Sequence, residues 1–153
     1  MSFHTAQVEI RMDLETKRSY LGTWTLVPEL CLYEEGNPPV SGIYRIAQLD
    51  DDVRISIDWE AQDGSKHQIE FQAPDRGIKQ PSNNPGTSHF SITRVSHLIL
   101  DSRAYAGDEE IAYARRRASD DGLLLATVQA GRRANGTSFR NFQVYRRQAT
   151  GDA

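Results

Sequence analysis

Residues 53–73 read VRISIDWEAQDGSKHQIEFQA, and this stretch decides the fold. In its first half every second residue from Ile55 to Trp59 is apolar, and the residues between them are polar or charged. The alternation resumes after Asp63-Gly64 and continues to Phe71. Alternation of this kind is typical of strands with one buried face, and an Asp-Gly pair supplies the positive φ angles of a tight hairpin turn. The stretch therefore predicts an antiparallel β-hairpin.

Three more turn signals of the same kind lie between alternating runs farther along the chain: Gly107-Asp108, Asp121-Gly122 and Asn135-Gly136. Their spacing predicts a meander in which each strand pairs with the next one. The predicted strands are 20–33, 41–49, 53–62, 66–73, 89–95, 97–105, 110–119, 123–130 and 139–147. A sheet of that many strands has to close or split into two layers. Sequential hairpins favour closure, so the predicted fold is all-β, a single antiparallel up-and-down β-barrel of about 9–10 strands.

Two segments depart from this rhythm. Residues 74–88 contain three prolines and two glycines without periodicity, which is long for a connection in a compact domain. Either a loose crossing at one end of the sheet or a lid over a cavity fits this loop. Near the N-terminus, residues 7–12 alternate, and an extra strand or a short helical turn fits equally well there. The predicted organisation is an N-terminal extension (1–19), a barrel domain (20–148) and a disordered tail (149–153).

The composition indicates a cytoplasmic protein that binds no nucleic acid and spans no membrane. The net charge is -3, and no apolar run approaches the roughly 18 residues of a transmembrane helix. The first five residues lack the basic and apolar regions of a signal peptide. The single cysteine, Cys31, excludes an internal disulfide.

Short motifs mark the two ends of the predicted barrel. Gly22-Thr23-Trp24 opens the first long strand, and Val144-Tyr145-Arg146-Arg147 closes the last one. A Gly-x-Trp at the start of a meandering barrel whose last strand ends in a basic residue resembles the calycin superfamily of lipocalins and fatty-acid-binding proteins. The resemblance implies that Trp24 plugs one end of the barrel and that Arg146 or Arg147 packs on its ring. Gly22, Trp24, Arg146 and Arg147 would then be structural, barrel-closing residues, and the stacked guanidinium would contribute about 0.5–2 kcal/mol.

A narrower resemblance covers residues 98–147, which look like a group of bacterial lipocalin-like proteins of uncharacterised function. Ser119-Asp120-Asp121-Gly122, Asn135-Gly136 and the closing Val-Tyr-Arg-Arg carry it. It implies a barrel with a cavity rather than a particular reaction. In fatty-acid-binding proteins an Arg-x-Tyr pair on the last strand holds the ligand carboxylate. This chain keeps the tyrosine as Tyr145 but has Gln143 where that pattern has arginine.

Three successive arginines occupy one predicted strand. Alternation puts Arg115 and Arg117 on one face with Tyr113, and Arg116 on the other. If the first face is interior, Asp101 or an anionic ligand has to neutralise the buried charge, and the cavity would recognise a carboxylate or phosphate. In the opposite orientation Arg115 and Arg117 face water and three alanines of the strand pack inside. Both orientations are compatible with the sequence.

The predicted function is binding of a small hydrophobic or amphipathic molecule inside the barrel, with an anionic group as one option. Aromatic, histidine and arginine side chains on the strands supply the candidate contacts: Trp59, His67, Phe71, Tyr113, Arg115 and Tyr145. No cofactor is expected, and the four histidines are not spaced as a metal pair.

Two alternatives belong to other classes of function. An enzyme of the isomerase or cyclase type would need an acid or base inside the cavity, for which His67 and Asp101 are the candidates. A protein-interaction module, such as a homodimer, would show a large apolar outer patch and no cavity. The sequence contains no nucleophile elbow and no phosphate-binding glycine loop.

Overall fold

The computed structural model describes residues 19–149. The predicted N-terminal extension up to residue 18, with its alternating segment 7–12, lies outside the described residues, as does the predicted tail from residue 150 onward. Within the described range no helix has the length and apolar character needed to cross a membrane.

Eleven strands make up most of the described chain, and they are numbered in chain order. Their bounds are β1 Gly22–Leu26, β2 Leu32–Tyr33, β3 Ser41–Leu49, β4 Asp52–Glu60, β5 Lys66–Pro74, β6 Gln80–Pro81, β7 His89–Arg94, β8 Ile99–Ala106, β9 Glu109–Ala118, β10 Leu124–Arg132 and β11 Ser138–Arg147. One short 3-10 helix, Pro28–Leu30, lies between β1 and β2.

The strands form one antiparallel sheet that curls into a nearly closed barrel. Their order is β5-β4-β3-β1-β11-β10-β9-β8-β7-β6, and β2 pairs with β11 beside this path. The first strand joins the last, with Trp24 opposite Arg147 and Leu26 opposite Tyr145. All the remaining neighbours in the sheet are strands that follow each other in sequence, apart from β1 and β3, which are separated by the short β2. The predicted up-and-down β-barrel is therefore confirmed.

The predicted hairpin turns connect these strands. Gly64, Gly107, Gly122 and Gly136 all have positive φ angles between 63° and 88°. Such angles favour glycine, which explains why each turn carries one. Between β3 and β4, Asp50 adopts a φ of 55° in the same role. The turn chemistry thus fixes the register of the meander.

The first predicted strand, 20–33, is interrupted. Pro28 has no N–H to donate, and the chain forms a 3-10 turn there in which Cys31 N–H donates to Pro28 O at 3.1 Å. Before the turn, Val27 N–H still donates to Val144 O at 2.9 Å. The remainder continues as the short β2, so Pro28 ends the strand rather than kinking it.

One end of the barrel, here called the floor, is closed by Trp24 and Arg147. The indole is fully buried, and its Nε1 donates to the Tyr20 carbonyl at 3.0 Å. The Arg147 Cζ lies 4.2 Å from the centre of the ring. Arg146, the alternative candidate from the sequence, is exposed. Arg147 is therefore the residue that stacks on Trp24.

The Arg147 guanidinium is also fixed by backbone carbonyls. Nη1 donates to Leu21 O at 2.7 Å, Nη2 to Ser19 O at 2.6 Å and Nε to Gly122 O at 2.6 Å. Gly22 has a φ of 134°, and a Cβ there would collide with Arg147 Nη1. Glycine is required at this position both for the backbone conformation and for the room it leaves.

The barrel has one seam, between β5 and β7. Near the floor it is held by backbone bonds, from Arg94 N–H to Asp75 O and from Gly77 N–H to Ile92 O, both 2.8 Å long. Farther from the floor Phe71 and Phe90 pack edge to face, with ring centres 5.6 Å apart. Over that part of the seam, side-chain packing takes the place of a hydrogen-bonded ladder.

Candidate ligand-binding cavity

A cavity of about 750 Å³ occupies the half of the barrel away from the floor. Along these strands it extends over five residues, or about 13 Å, from Arg116 to Ala112 on β9 and from Tyr145 to Asn141 on β11. Apolar and aromatic groups supply much of its wall, among them Leu26, Ile57, Trp59, Ile69, Phe71 and Phe90. Its volume and lining are those of a site for a drug-sized molecule.

Arg116 lies at the inner end of this cavity and is 2 % exposed. Its Nε donates to the Tyr44 hydroxyl, and its Nη2 donates to Ser102 Oγ at 2.9 Å. Nη1 is buried and has no hydrogen-bond partner among the described residues. The guanidinium also forms no ion pair with any described carboxylate. A permanent positive charge, on a residue with one unused donor, therefore lies in the cavity wall.

The surroundings of Arg116 favour a negative charge. Its Cζ lies 5.7 Å from the centre of the Tyr44 ring and 5.9 Å from that of Phe71. These rings attract the cation only weakly compared with the water that burial has removed. An anion placed against Nη1 would compensate the charge and satisfy the donor.

Two hydroxyl groups extend this set of donors. Tyr44 and Ser102 each accept a hydrogen bond from Arg116, which leaves the proton of each hydroxyl available for another acceptor. Neither side chain makes a further hydrogen bond within residues 19–149. Of these residues, Arg116 and Ser102 line the inner end of the cavity, and Tyr44 holds Arg116 from behind the wall.

Gln143, which stands where the fatty-acid-binding pattern has arginine, belongs to a separate network. Its Nε2 donates to the Tyr33 hydroxyl, and its Oε1 accepts from the Tyr145 hydroxyl at 2.8 Å and from Thr127 Oγ1 at 3.3 Å. Burial raises the pKa of Tyr145 well above its ordinary value, so this phenol stays neutral. Tyr145 contacts the cavity but directs its proton to Gln143.

The other candidate aromatic residues occupy different depths. Phe71 lies near the inner end beside Arg116, and Trp59 lies nearer the mouth. His67 is exposed and is not part of the cavity wall; it stacks on Trp59 with ring centres 5.2 Å apart, and its Nε2 contacts Ser65 Oγ at 2.9 Å. The expectation that His67 contacts the ligand is corrected, because β5 carries it to the rim, with Trp59 between it and the cavity.

Arg115, predicted as a ligand contact, lies on the outer face of β9 and is not part of the cavity wall. Alternation turns Arg116 inward, so Arg115 points outward. Its Nε donates to Asp101 Oδ1 at 2.8 Å and its Nη2 donates to Asp101 Oδ2 at 2.9 Å. Tyr113 shares this outer face and donates from its hydroxyl to Asp101 at 3.0 Å, while Arg103 lies over its ring. Tyr113 therefore borders the cavity through its backbone, with its side chain engaged outside.

These placements leave few groups for catalysis. Asp101, a candidate acid or base, is occupied on the outer face by Arg115 and Tyr113. Glu70, which also borders the cavity, is exposed on β5 and pairs with Arg54 at 3.4 Å. Within the described range no group of three or more His, Cys, Asp or Glu residues is arranged to hold a metal ion.

A segment between β2 and β3 crosses part of the mouth and is held by β11. Asn141 Oδ1 accepts from the backbone N–H groups of Glu34 and Glu35 at 3.0 and 3.1 Å, and its Nδ2 donates to Glu35 O. Arg133 Nε donates to the Glu35 carboxylate at 2.6 Å. The segment between β2 and β3 therefore borders the mouth in a fixed position. Residues 82–88 of the long loop predicted over 74–88 border the mouth from the other side.

Sequence reasoning did not identify Arg116, Tyr44 and Ser102 as a group. The one available signal was the pattern of β9, in which Arg116 alternates with alanines at 112, 114 and 118. An arginine that points into a barrel needs small neighbours on its face, because its long side chain takes up interior space. An arginine that points outward does not need small neighbours. No signal connected Tyr44 or Ser102 with Arg116, because the three lie on different strands.

No protein-family model matches the chain, and no curated protein matches it. Among solved structures, a point mutant of the fluorescent protein UnaG aligns with a TM-score of 0.53 at 16 % identity, covering 85 % of this chain and 96 % of that one. Wild-type UnaG gives 0.50 at 14 % identity, covering 84 % and 97 %. The siderocalin Ex-FABP, described as acting through dual ligand specificities, gives 0.46 at 13 % identity, covering 86 % and 74 %.

The two UnaG structures match this chain over most of both lengths, at an identity that shows the fold alone. Their overall fold agrees with the antiparallel barrel described above. By its fold, this chain is a calycin-like β-barrel.

Proposed function

We propose that this protein binds a small amphipathic molecule inside the barrel, with an anionic group of the ligand against Arg116. The observation that carries the proposal is Arg116, a residue of the cavity wall whose buried Nη1 has no hydrogen-bond partner among the described residues. Leaving a buried charge unpaired is costly, so proteins that keep one usually pair it with a bound ion or ligand. An anionic ligand group supplies that partner.

The rest of the cavity supports an apolar body for the ligand. Ile57, Ile69 and Phe90 provide apolar wall between Arg116 and the mouth, and Trp59 adds a large aromatic surface. Burial of apolar ligand surface contributes about 25 cal/mol per Å² before the costs of association. A ligand with an apolar body and one anionic end matches this distribution. An enzymatic function has less support, since His67 and Asp101 both lie away from the cavity interior.

The first test is native mass spectrometry of the purified full chain, before and after denaturation. Release of a discrete small anion would support the proposal directly. The second test is titration with 2-naphthoate and with its uncharged analogue naphthalene-2-carboxamide, read by tryptophan emission, since Trp59 lines the cavity and Trp24 is the only other tryptophan.

Arg116→Gln and Arg117→Gln form the matched pair of variants, because the two arginines are neighbours on opposite faces of β9. We expect 2-naphthoate to bind about tenfold more tightly than the carboxamide in the wild type and in Arg117→Gln, and the preference to disappear in Arg116→Gln. His67→Ala should change the affinity less than about threefold, as expected for a side chain outside the wall. Equal binding of the acid and the amide by the wild type would overturn the proposal.

A further inference from the structure

The shape of the cavity carries information about the body of the ligand. Its wall spans five residues, or about 13 Å, on each of β9 and β11 and continues onto the loops at the mouth, and its volume is about 750 Å³. Residues of all eleven strands contribute to the lining, so the cavity takes up the width of the barrel. It is therefore a broad cavity rather than a channel along one wall.

The two long walls of the cavity differ in chemistry. On β8 and β9 the wall is made of small residues, Ala104, Ala112 and Ala114. Across the interior, β4 and β5 present Trp59 and Phe71, with Phe90 joining Phe71 at the seam. The hydrogen bond from Arg116 on β9 to Tyr44 on β3 shows that these walls face each other. The alanine side chains leave space in front of the aromatic wall. A flat ring system suits this space, because it can stack on the aromatic side chains.

Among the described lining residues, Arg116 is the buried cation without a carboxylate partner. The other two lining arginines are already paired, Arg54 with Glu70 at 3.4 Å and Arg103 with Glu110 at 3.0 Å. A single guanidinium balances a singly charged anion, whereas a dianion would leave one negative charge buried without a partner. Arg116 and the Ser102 hydroxyl beside it match an anion with at least two acceptor oxygens.

The outer end also carries uncharged polar groups. Four carboxamides from three parts of the chain border the mouth, and their side chains make no hydrogen bond with other described residues: Asn37, Asn83, Asn84 and Gln129. Carboxamides both donate and accept, so they suit neutral hydroxyl, carbonyl or amide groups. An unsubstituted hydrocarbon end would use none of them.

We propose that the ligand is a compact, ring-containing molecule with one singly charged carboxylate or sulfonate at its inner end and a neutral hydrogen-bonding group at its outer end. This inference rests on the proposed function, because it assigns the ligand class of the same cavity. It distinguishes the site from one that holds a long-chain saturated acid or a phosphate monoester.

The test is a set of Kd values for the full-length wild-type protein, measured by isothermal titration calorimetry. The probes are 2-naphthoate, 6-hydroxy-2-naphthoate, dodecanoate and 2-naphthyl phosphate. At about pH 7.5 the phosphate is a dianion, since its second pKa is about 6. We expect 2-naphthoate to bind at least about tenfold more tightly than dodecanoate and than the phosphate, with the hydroxylated acid tighter still by about threefold or more.

The pH dependence of the phosphate separates charge from size. At about pH 5 the phosphate becomes mainly a monoanion, while the naphthoate keeps its single charge. Binding of 2-naphthyl phosphate should therefore strengthen about tenfold on going to pH 5, with 2-naphthoate nearly unchanged. If 2-naphthyl phosphate binds no better at about pH 5 than at about pH 7.5, the inference that the site requires a singly charged anion is wrong.

A variant tests the width of the cavity independently. Ala114→Leu narrows the slot from the alanine side, and we expect it to weaken 2-naphthoate about tenfold or more while changing dodecanoate less than about threefold. Thermal melting of the variant checks that it is folded.

The outcomes keep the two proposals distinguishable. If dodecanoate or the dianionic phosphate binds as tightly as 2-naphthoate, and Arg116→Gln still abolishes the preference for anions, the inference about ligand class is wrong while the proposed function stands. If no anion is preferred over its uncharged analogue, both fail.

Discussion

Arg116 on β9 donates from Nε to the hydroxyl of Tyr44 on β3, so a hydrogen bond connects opposite walls of the barrel at the inner end of the cavity. Tyr44 also packs edge to face on Tyr145, with ring centres 5.2 Å apart. The position of the guanidinium is thus fixed from the far wall. This part of the cavity wall is assembled across the interior and depends on closure of the barrel.

Removing this hydroxyl tests that dependence. Tyr44→Phe keeps the ring and its packing but leaves Arg116 Nε without its acceptor, so the guanidinium is held less firmly. We expect the Kd for 2-naphthoate to rise about fivefold to tenfold, which corresponds to about 1 kcal/mol. Calorimetric titration measures it. The control is Tyr105→Phe, since Tyr105 lies outside this site, under Lys79. An unchanged Kd would show that the hydroxyl only positions the ring.

Arg116 should cost the protein stability in the absence of ligand. Its buried charge has no carboxylate partner within the described residues, so Arg116→Met replaces a poorly compensated cation by an apolar chain of similar length. We expect the free energy of unfolding to rise by about 1–3 kcal/mol while preference for anions is lost. Urea unfolding measures this change.

Arg117→Met is the matched control, because its exposed side chain makes only a surface pair with Asp120 at 3.4 Å. Its unfolding free energy should change by less than about 0.5 kcal/mol. A loss of stability in Arg116→Met would mean that the bonds to Tyr44 and Ser102 outweigh the desolvation of the guanidinium.

The floor should depend on Arg147 far more than on Arg146. Arg147→Ala removes three hydrogen bonds to carbonyls and the contact with Trp24, and we expect a loss of about 2–4 kcal/mol in unfolding free energy. Arg147→Lys should recover less than half, because an ammonium group cannot reach three carbonyls in the geometry of the guanidinium fork. Arg146→Ala is the control and should be nearly neutral. Similar losses at both positions would contradict the assignment of the closing residue.

The pair of Asp101 and Arg115 predicts a pH dependence of stability. Burial raises the pKa of the Asp101 carboxyl, but hydrogen bonds from Arg115 and Tyr113 and the nearby positive charges lower it more, so the pKa lies below its ordinary value. A lowered folded-state pKa stabilises the protein above the unfolded-state value of about 3.9 and loses this effect as the pH falls through the folded-state value.

Asp101→Asn should therefore lower the unfolding free energy by about 1–2 kcal/mol near neutral pH, and the difference from wild type should shrink below about pH 4. Urea unfolding at a series of pH values provides the measurement. Asp120→Asn, which alters an exposed pair, should show almost no difference at any pH. A gap that stays constant down to pH 3 would assign the effect of Asp101→Asn to shape or packing.

Much of the fold could be read from local chemistry. Turn dipeptides such as Asp63-Gly64 and Asn135-Gly136 predicted the hairpins, because few residues tolerate their backbone angles. The pairing of Trp24 with a terminal arginine came from the resemblance to calycins, and the structure selects Arg147. The 3-10 turn at Pro28 could not be predicted, because where β1 stops pairing with β11 is not specified by the sequence.

The cavity was harder to predict. Alternation divides β9 into two faces but does not say which one is interior, and Tyr113 on the face of Arg115 left both orientations open. The usual guide, that apolar residues point inward, does not assign the face that carries Arg116. The partner of Arg116, Tyr44, is remote in sequence. Such contacts between distant strands depend on how the barrel closes.

The seam between β5 and β7 has a consequence for chain connectivity. Because β1 pairs with β11, the hydrogen-bonded sheet is continuous from β6 to β11 and on from β1 to β5. The strands therefore follow each other in space as they do in sequence, except that the spatial order begins at β6 instead of β1. Gln148 N–H donates to Thr23 O at 2.8 Å, which places the two ends of the described chain side by side. A circular permutant opened between Ile78 and Lys79, with residue 149 linked to residue 19, would turn the long-range pairing of Trp24 with Arg147 into a local one. Contact order would fall, and the barrel would fold faster while keeping the same cavity.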